Sequence, residues 1–437
     1  MARKHLLLMS RCFFFLGKSG QDRLAVWYNC TSLEKEGDIV LRKKKTGLLL
    51  FLLVLLLAFP MESLAKTTAL SNSVNWRHVY TKVNGKYQSI NIMAADLTKR
   101  GHSISYHLPM PYYRLNKVSA LSNRQMPTGQ RQLGAINASF FHFSTREPAY
   151  LLVKENKLDN LGAVSNKNTD YMYVPAAFGV KKDGAAMIDR FRLSMTANSK
   201  KAAFPITGYN ESREQEELIL YTRSMKFNNT RTNPYGYEVT VEGLDHPLDP
   251  GAKFGEPVTG KVTAIRKYGE RSSSVIPKNG FVLSAHGEKT QLLKSLKTGD
   301  PVSLTINPEE KWKDSRFMLA SGPLLVQKGK VAMTMSTKSP NARARAPRSA
   351  VMVDRSGKKV YFVTVDGRQK RSAGMTLMEF AGYLKSLGGY QALNLDGGGS
   401  TTMAGRAIGS SKAKVLNIPS DGRERTVSAI LEIFQAK

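Results

Sequence analysis

The chain has 437 residues, room for about three domains of ordinary size, and 41% of them are hydrophobic, which excludes wholesale disorder. Its 65 Lys and Arg against 34 Asp and Glu give a formal charge of +31, favouring an acidic polymer or surface as partner over another basic macromolecule. A Walker A loop, a GxGxxG turn, an HExxH helix and a repeat of 20 to 50 residues are all missing from the sequence, so nucleotide, zinc and solenoid readings lose their main support.

The first element is residues 48–59, an uncharged apolar run of twelve. Arg42, Lys43, Lys44 and Lys45 precede it, and Ser63, Leu64 and Ala65 follow. That order of basic, apolar and small residues predicts a secretory signal with cleavage after Ala65. Twelve residues span only ~18 Å as a helix against a ~30 Å bilayer core, so no stable membrane span is expected once the signal is removed. Forty residues ahead of the basic region are unusual, which suggests a translation start near 40–41; the alternative is a genuine uncleaved extension. Residues 1–65 are therefore read as extension and signal, and 66–437 as the working protein. Both cysteines, Cys12 and Cys30, fall in the first part, so no disulfide, thiolate nucleophile or Cys-ligated metal is expected in the second. Removing 1–65 takes away ten basic and five acidic residues and leaves +26, so the basic character belongs to the mature chain. The expected location is extracellular or cell-wall associated. There, teichoic acids and phosphorylated capsules are the abundant polyanions, and nucleic acid is not the expected partner because no binding module supports it.

Short β-rich runs separated by Gly, Asn and Pro follow at 87–95, 133–137, 177–180, 218–221, 238–241, 261–265, 280–284 and 301–306. Residues 66 to about 210 and 310–437 read as parts of one core, with 215–308 as a smaller inserted β subdomain. A strand at 349–353 precedes a sharper unit. Residues 360–365 form a strand. Thr376 and Glu379 then make a capping box, Leu377, Phe380, Ala381, Leu384 and Leu387 form an apolar stripe, and Gly388 with Gly389 ends the helix. A second strand follows at 391–395. A strand, helix, strand unit of this length predicts parallel strands, which brings Asp366 and Asp396 out at one sheet edge. The expected class is α+β: a mixed β-sheet core with few helices, one β-α-β unit near the C-terminus and the inserted β subdomain.

Asp396 opens the most specific segment, Asn394-Leu395-Asp396-Gly397-Gly398-Gly399-Ser400-Thr401-Thr402. Three glycines after a buried strand suit positive φ or a closely approaching ligand, and their N–H groups with the Ser400 and Thr401 hydroxyls can cradle an anion. A flexible turn is the plainer alternative. Upstream, Arg343 and Arg345 suit a solvated loop as well as a ligand, whereas Arg348, entering a strand after Pro347, is the better candidate for bidentate contact with phosphate. Glu379 is explained by its capping box. His286 reads as an ordinary core or surface histidine; His142, just past the 133–137 strand, is better placed to reach substrate. With no Cys in the mature chain and no spaced His pair, neither a metal nor a cofactor is expected.

These residues resemble the phosphodiester glycosidase family. The likeness is carried by Ala346-Pro347-Arg348-Ser349-Ala350, Val365-Asp366-Gly367, Asn394-Leu395-Asp396-Gly397-Gly398-Gly399-Ser400 and Arg425-Thr426-Val427-Ser428. It extends to Ala135-Ile136-Asn137-Ala138-Ser139-Phe140-Phe141, Phe281-Val282-Leu283-Ser284 and Ser321-Gly322-Pro323-Leu324-Leu325-Val326, over most of residues 76–435. One departure is that Ala138 and Ser139 stand where the family has two glycines.

The resemblance implies hydrolysis of the glycosidic bond in sugar 1-phosphodiesters. The group leaving C1 is then a phosphate monoester, already a good anion, so donors that neutralise it matter more than an acid that protonates it. Asp366 or Asp396 would activate water or stabilise positive charge at the anomeric carbon, an assignment open at this stage. Asn137, Arg348, Asn394, Gly397, Gly398, Gly399, Ser400, Thr401 and His142 are the expected substrate contacts. The rival reading is a non-catalytic exopolysaccharide-binding or assembly protein that keeps the pocket without turnover.

Overall fold

β-branched and aromatic residues at alternate positions make the strands, and the two glycines after Leu387 end the longest helix among the described residues. In the computed structural model, residues 66–111, 114–163, 174–225 and 227–436 are described; the expected signal segment at 48–59 lies outside them. Few helices accompany the strands, as an α+β class requires.

The strands that build the site are β1 (Val74–Val83), β2 (Lys86–Asp96), β3 (Gln130–Asn137), β4 (Arg348–Val353), β5 (Lys359–Val365) and β6 (Gln391–Asn394), with helix α1 (Leu377–Ser386) between β5 and β6. An eight-stranded sheet runs in the order Lys66–Ala69, β1, β2, β5, β4, β6, Leu324–Gln327, Lys330–Val331. Strand β4 is antiparallel to both β5 and β6, so those two run parallel with β4 between them. Side chains alternate across this sheet. Ile90, Ile92, Ala350, Val363 and Val365 pack against Leu377, Phe380, Ala381 and Leu384 of α1. Met93, Val351, Val353, Phe362 and Leu393 face a second core shared with Leu133, Ile136 and Met403 on one side and Phe178 and Phe317 on another. At about 25 cal/mol per Å² of apolar surface, these two layers supply the main force holding β5 and β6 in register.

Helix α1 carries the full capping box: Thr376 accepts from the Glu379 N–H, and Glu379 accepts from the Thr376 N–H at 3.0 Å. Glu379 also accepts from Asn84 at 2.9 Å and pairs with Arg345. Gly388, at φ +86°, takes the left-handed position that stops the helix.

A further eight-stranded antiparallel-rich sheet is drawn wholly from residues 193–308, spanning Leu193–Asn198 to Pro301–Pro308. Its core around Val239, Val241, Phe281, Leu283 and Leu304 is continuous with Leu151, Val153, Leu158, Met318 and Ala320 from outside that sheet. A five-stranded sheet of Lys414–Val415, Met403–Gly405, β3, Ile430–Ala436 and His102–His107 backs the first sheet. Among the described residues no helix is long and apolar enough to cross a membrane.

Candidate active site

Because β5 and β6 are parallel, Asp366 and Asp396 both leave the sheet at the C-terminal edge. Their turns clasp the same residue. A Cβ on Gly367 would stand 2.6 Å from the Pro347 nitrogen, and one on Gly397 would stand 3.0 Å from the Pro347 oxygen. The Gly398 N–H donates to that oxygen at 3.0 Å, and Gly398 holds φ +60°. The close backbone leaves little room for a Cβ at Gly367 and Gly397, and the positive φ of Gly398 favours glycine.

Asp366 is buried at 1% exposure and accepts three hydrogen bonds: from Ser89 Oγ at 2.8 Å, Asn417 Nδ2 at 3.1 Å and the Ile418 N–H at 3.1 Å. Burial pushes its carboxyl above the usual range, against those bonds and the nearby Arg371. Ser89 in turn contacts His78 Nε2 at 3.0 Å. Asp396 is only half-buried. Loss of water pushes its carboxyl up to about 6, opposed by the Ser400 hydroxyl, the Gly397 N–H at 2.9 Å and the charge of Arg425. Asn417 links the two turns, donating to Asp366 and to the Thr401 oxygen at 3.0 Å.

Several residues expected at the substrate are committed to the protein. Asn137, fully buried, donates to the Asp396 backbone oxygen at 2.6 Å and accepts from Ser349 Oγ at 2.8 Å and the Thr402 N–H at 3.1 Å. It bolts the glycine turn to β3 and β4. Asn394 donates to the Gly322 and Leu395 oxygens at 2.9 and 2.8 Å. Arg348, 4% exposed, donates to the oxygens of Met375 at 2.9 Å, Asn341 at 3.0 Å and Ala344 at 2.6 Å. Ser400 and Thr401 are buried, their N–H groups donating to the Gly397 and Gly398 oxygens at 3.2 Å each; the Thr401 hydroxyl has no hydrogen-bond partner among the described residues. His142 is half-buried in the loop between Phe141 and Phe143, its backbone bonded to Glu147 and Arg146.

Two cations outside the expected substrate contacts overlie the glycines. A Cβ on Gly399 would stand 2.1 Å from Arg425 Nη2, and one on Gly398 would stand 3.5 Å from Arg368 Nη2. Arg425 pairs with Asp421 at 2.7 Å. Their signal in the sequence was faint: Arg368 stands two residues past Asp366, and Arg425 opens the last matching segment. Ser89, His78 and Asn417 carried none, since no local motif surrounds them. Among the described residues no group of three or more His, Cys, Asp or Glu gathers as a metal-ligand set.

Comparison with known proteins bears on this edge. Residues 256–434, which contain both carboxylates and Arg425, match the family model for phosphodiester glycosidase, and the resemblance read from the sequence is thereby shown for this stretch. A 121-residue segment is 35% identical to the SPbeta prophage-derived uncharacterized protein YomE of Bacillus subtilis (strain 168), covering 28% of this chain and 18% of that protein. Among solved structures, a hypothetical protein from Synechocystis superposes with a TM-score of 0.61 at 20% identity over 85% of this chain and 64% of that one. A candidate exported protein from Burkholderia pseudomallei K96243 gives 0.51 at 20% identity over 80% and 74%. These two share the fold. The chain spans under a fifth of the Bacillus protein's length and just under two thirds of the Synechocystis chain.

Proposed function

We propose that the chain is an exported hydrolase of sugar 1-phosphodiesters in cell-envelope or extracellular glycopolymers of the teichoic acid or phosphorylated capsule kind, releasing sugar and exposing a phosphomonoester. The observation that carries this reading is the pair of carboxylates in unlike settings at one sheet edge. Asp396 is half-buried with its carboxyl near 6, the more reactive of the two, whereas both oxygens of Asp366 are occupied by donors within the wall. Asp396 in its ionised form takes a proton from water as the water oxygen bonds to C1 and the C1–O bond to phosphate breaks. Asp366 supplies fixed negative charge toward the oxocarbenium-like centre. Arg425 and Arg368, above the glycine turn, meet the departing phosphate. Asn137 acts one layer back, holding the turn in place, and Arg348 holds together the neighbouring 341–344 and Met375 segments.

The matching family model supports glycosidase chemistry on phosphodiesters; the polymer and the export are our own assignment, the latter resting on the order of residues 42–65. Incubation with a panel of sugar 1-phosphodiesters, reading free sugar and new phosphomonoester separately, tests it. Equal release of both supports hydrolysis at C1. Polymer retention with neither product would favour the binding-protein reading instead.

A further inference from the structure

The face of the first sheet that carries Asp366 continues outward. In the pairing register His78 lies opposite Asn91, Tyr80 opposite Ser89 and Lys82 opposite Tyr87, while Asn91 lies opposite Thr364 on β5. Opposed and alternate residues share a face, so Tyr80, Lys82, Tyr87 and Ser89 stand on the same face as Asp366, two residues past Thr364. Ser89 contacts Asp366 directly; Tyr80 lies one strand further out, about 10 Å from Asp366 at the usual strand spacing.

Along this face the side chains change from buried to open. Ser89 and Asn91 are buried, whereas Tyr80 and Tyr87 are 44% and 48% exposed. Their rings stack with centroids 5.3 Å apart and planes within 5°. Lys82 Nζ sits 4.6 Å from the Tyr87 ring centre, and Arg371 Nη2 lies 3.5 Å from Ser89 Oγ. The loop bearing Arg371 is tied here, since the Ala373 N–H donates to the Tyr87 oxygen at 3.1 Å. Two large rings left open beside two cations are unusual on a surface that excludes other partners. Aromatic faces are electron-rich and attract the weakly positive C–H edges of a pyranose, while Lys and Arg attract phosphate.

We propose that Tyr80, Tyr87 and Lys82 form a second subsite that holds the next sugar-phosphate unit of a polymeric substrate beside the Asp366 edge. The proposal rests on the glycosidase reading above. The tyrosine faces take the sugar ring; Lys82 and Arg371 take the phosphates on either side of it. A free sugar phosphodiester, too short to reach the rings, gains nothing from them.

The test compares Tyr80→Ala/Tyr87→Ala and Tyr80→Phe/Tyr87→Phe with the parent chain on two substrates: a short sugar 1-phosphodiester and a teichoic acid with sugar 1-phosphate links in its main chain. The alanine pair should raise KM for the polymer about tenfold with kcat and the short substrate unchanged, and the phenylalanine pair should behave as the parent. An unchanged polymer KM in the alanine pair overturns the subsite while leaving the glycosidase reading intact. A lower melting temperature with unchanged KM assigns the stack to hairpin stability alone and also overturns it. If the parent hydrolyses neither substrate, the glycosidase reading falls. Retention of the three proteins on immobilised teichoic acid then decides the subsite by itself: loss in the alanine pair supports it, and equal retention overturns it.

Discussion

Two regions of this molecule bury carboxylates, with opposite results. In the sheet of residues 193–308, Glu238 is fully buried, and burial alone would raise its carboxyl. Bonds from Ser284 and Thr232 at 2.7 Å, the Ser274 N–H at 3.0 Å and Arg266 outweigh that and hold it below the usual range. Arg213 flanks it at 3.9 Å and is itself tied to Ser284 and Asn233. At the Asp396 edge the donors are fewer and the nearest cation, Arg425, is shared with Asp421, so burial wins. The difference teaches that burial by itself does not mark a reactive group. What matters is whether the surrounding donors complete the charge or leave it incomplete.

The comparison breaks most visibly at Glu238. Glu238→Ala leaves two buried guanidinium groups without their anion and should cost about 3–5 kcal/mol of stability, read from urea unfolding. A loss below about 1 kcal/mol would mean that Glu238 contributes no more than an exposed ion pair does. Asp396→Asn should act on the other axis, lowering kcat by roughly two orders of magnitude with KM little changed. A stable variant with near-normal kcat removes Asp396 from the chemistry.

The same substitution sharpens the electrostatic contrast. The folded carboxyl of Asp396 titrates near 6, above its ordinary 3.8, so its ionisation opposes folding. The stability it contributes is present at low pH and lost as pH rises through about 6. Asparagine does not ionise, so the melting temperature of Asp396→Asn relative to the parent should be higher at pH 8 than at pH 5. A difference independent of pH contradicts the raised carboxyl. In the parent chain, kcat/KM for a sugar 1-phosphodiester should rise with pH through about 6, because on the proposed mechanism the ionised form is the one that accepts the proton. A fall over that range would make Asp396 the acid instead.

The smallest expected effects separate the arginines. Arg425→Lys keeps charge but loses the planar fork and should raise KM several-fold, roughly 1 kcal/mol, at unchanged melting temperature. Arg348→Lys should lower melting temperature with KM unchanged, since its donors serve Met375, Asn341 and Ala344. The reverse pattern in kinetics and melting would return phosphate binding to Arg348.

Local rules made part of this molecule readable in advance. The capping box of Thr376 and Glu379, the stripe from Leu377 to Leu384 and the stop at Gly388 are written within a dozen residues, so the sequence by itself determined α1 and the parallel course of the strands on either side of it. From that followed the common edge for Asp366 and Asp396. The triple glycine also announced a tight turn, since Gly398 takes a positive φ that favours glycine and Gly397 lies close against Pro347.

Tertiary structure alone decided how each polar side chain is spent. Asn137 and Arg348 have residue types suited to substrate, yet the fold surrounds them with carbonyl, hydroxyl and amide partners from segments hundreds of residues away or across a turn. A hydrogen bond across such a separation leaves no periodic trace in the chain. The same holds for Ser89, 277 residues from the Asp366 it contacts, and for Tyr80 and Tyr87, whose pairing register puts them on the face of a carboxylate far along the sequence. Sequence determines which groups are available and where the local turns fall; only packing determines which donors and acceptors satisfy one another and which remain for a ligand.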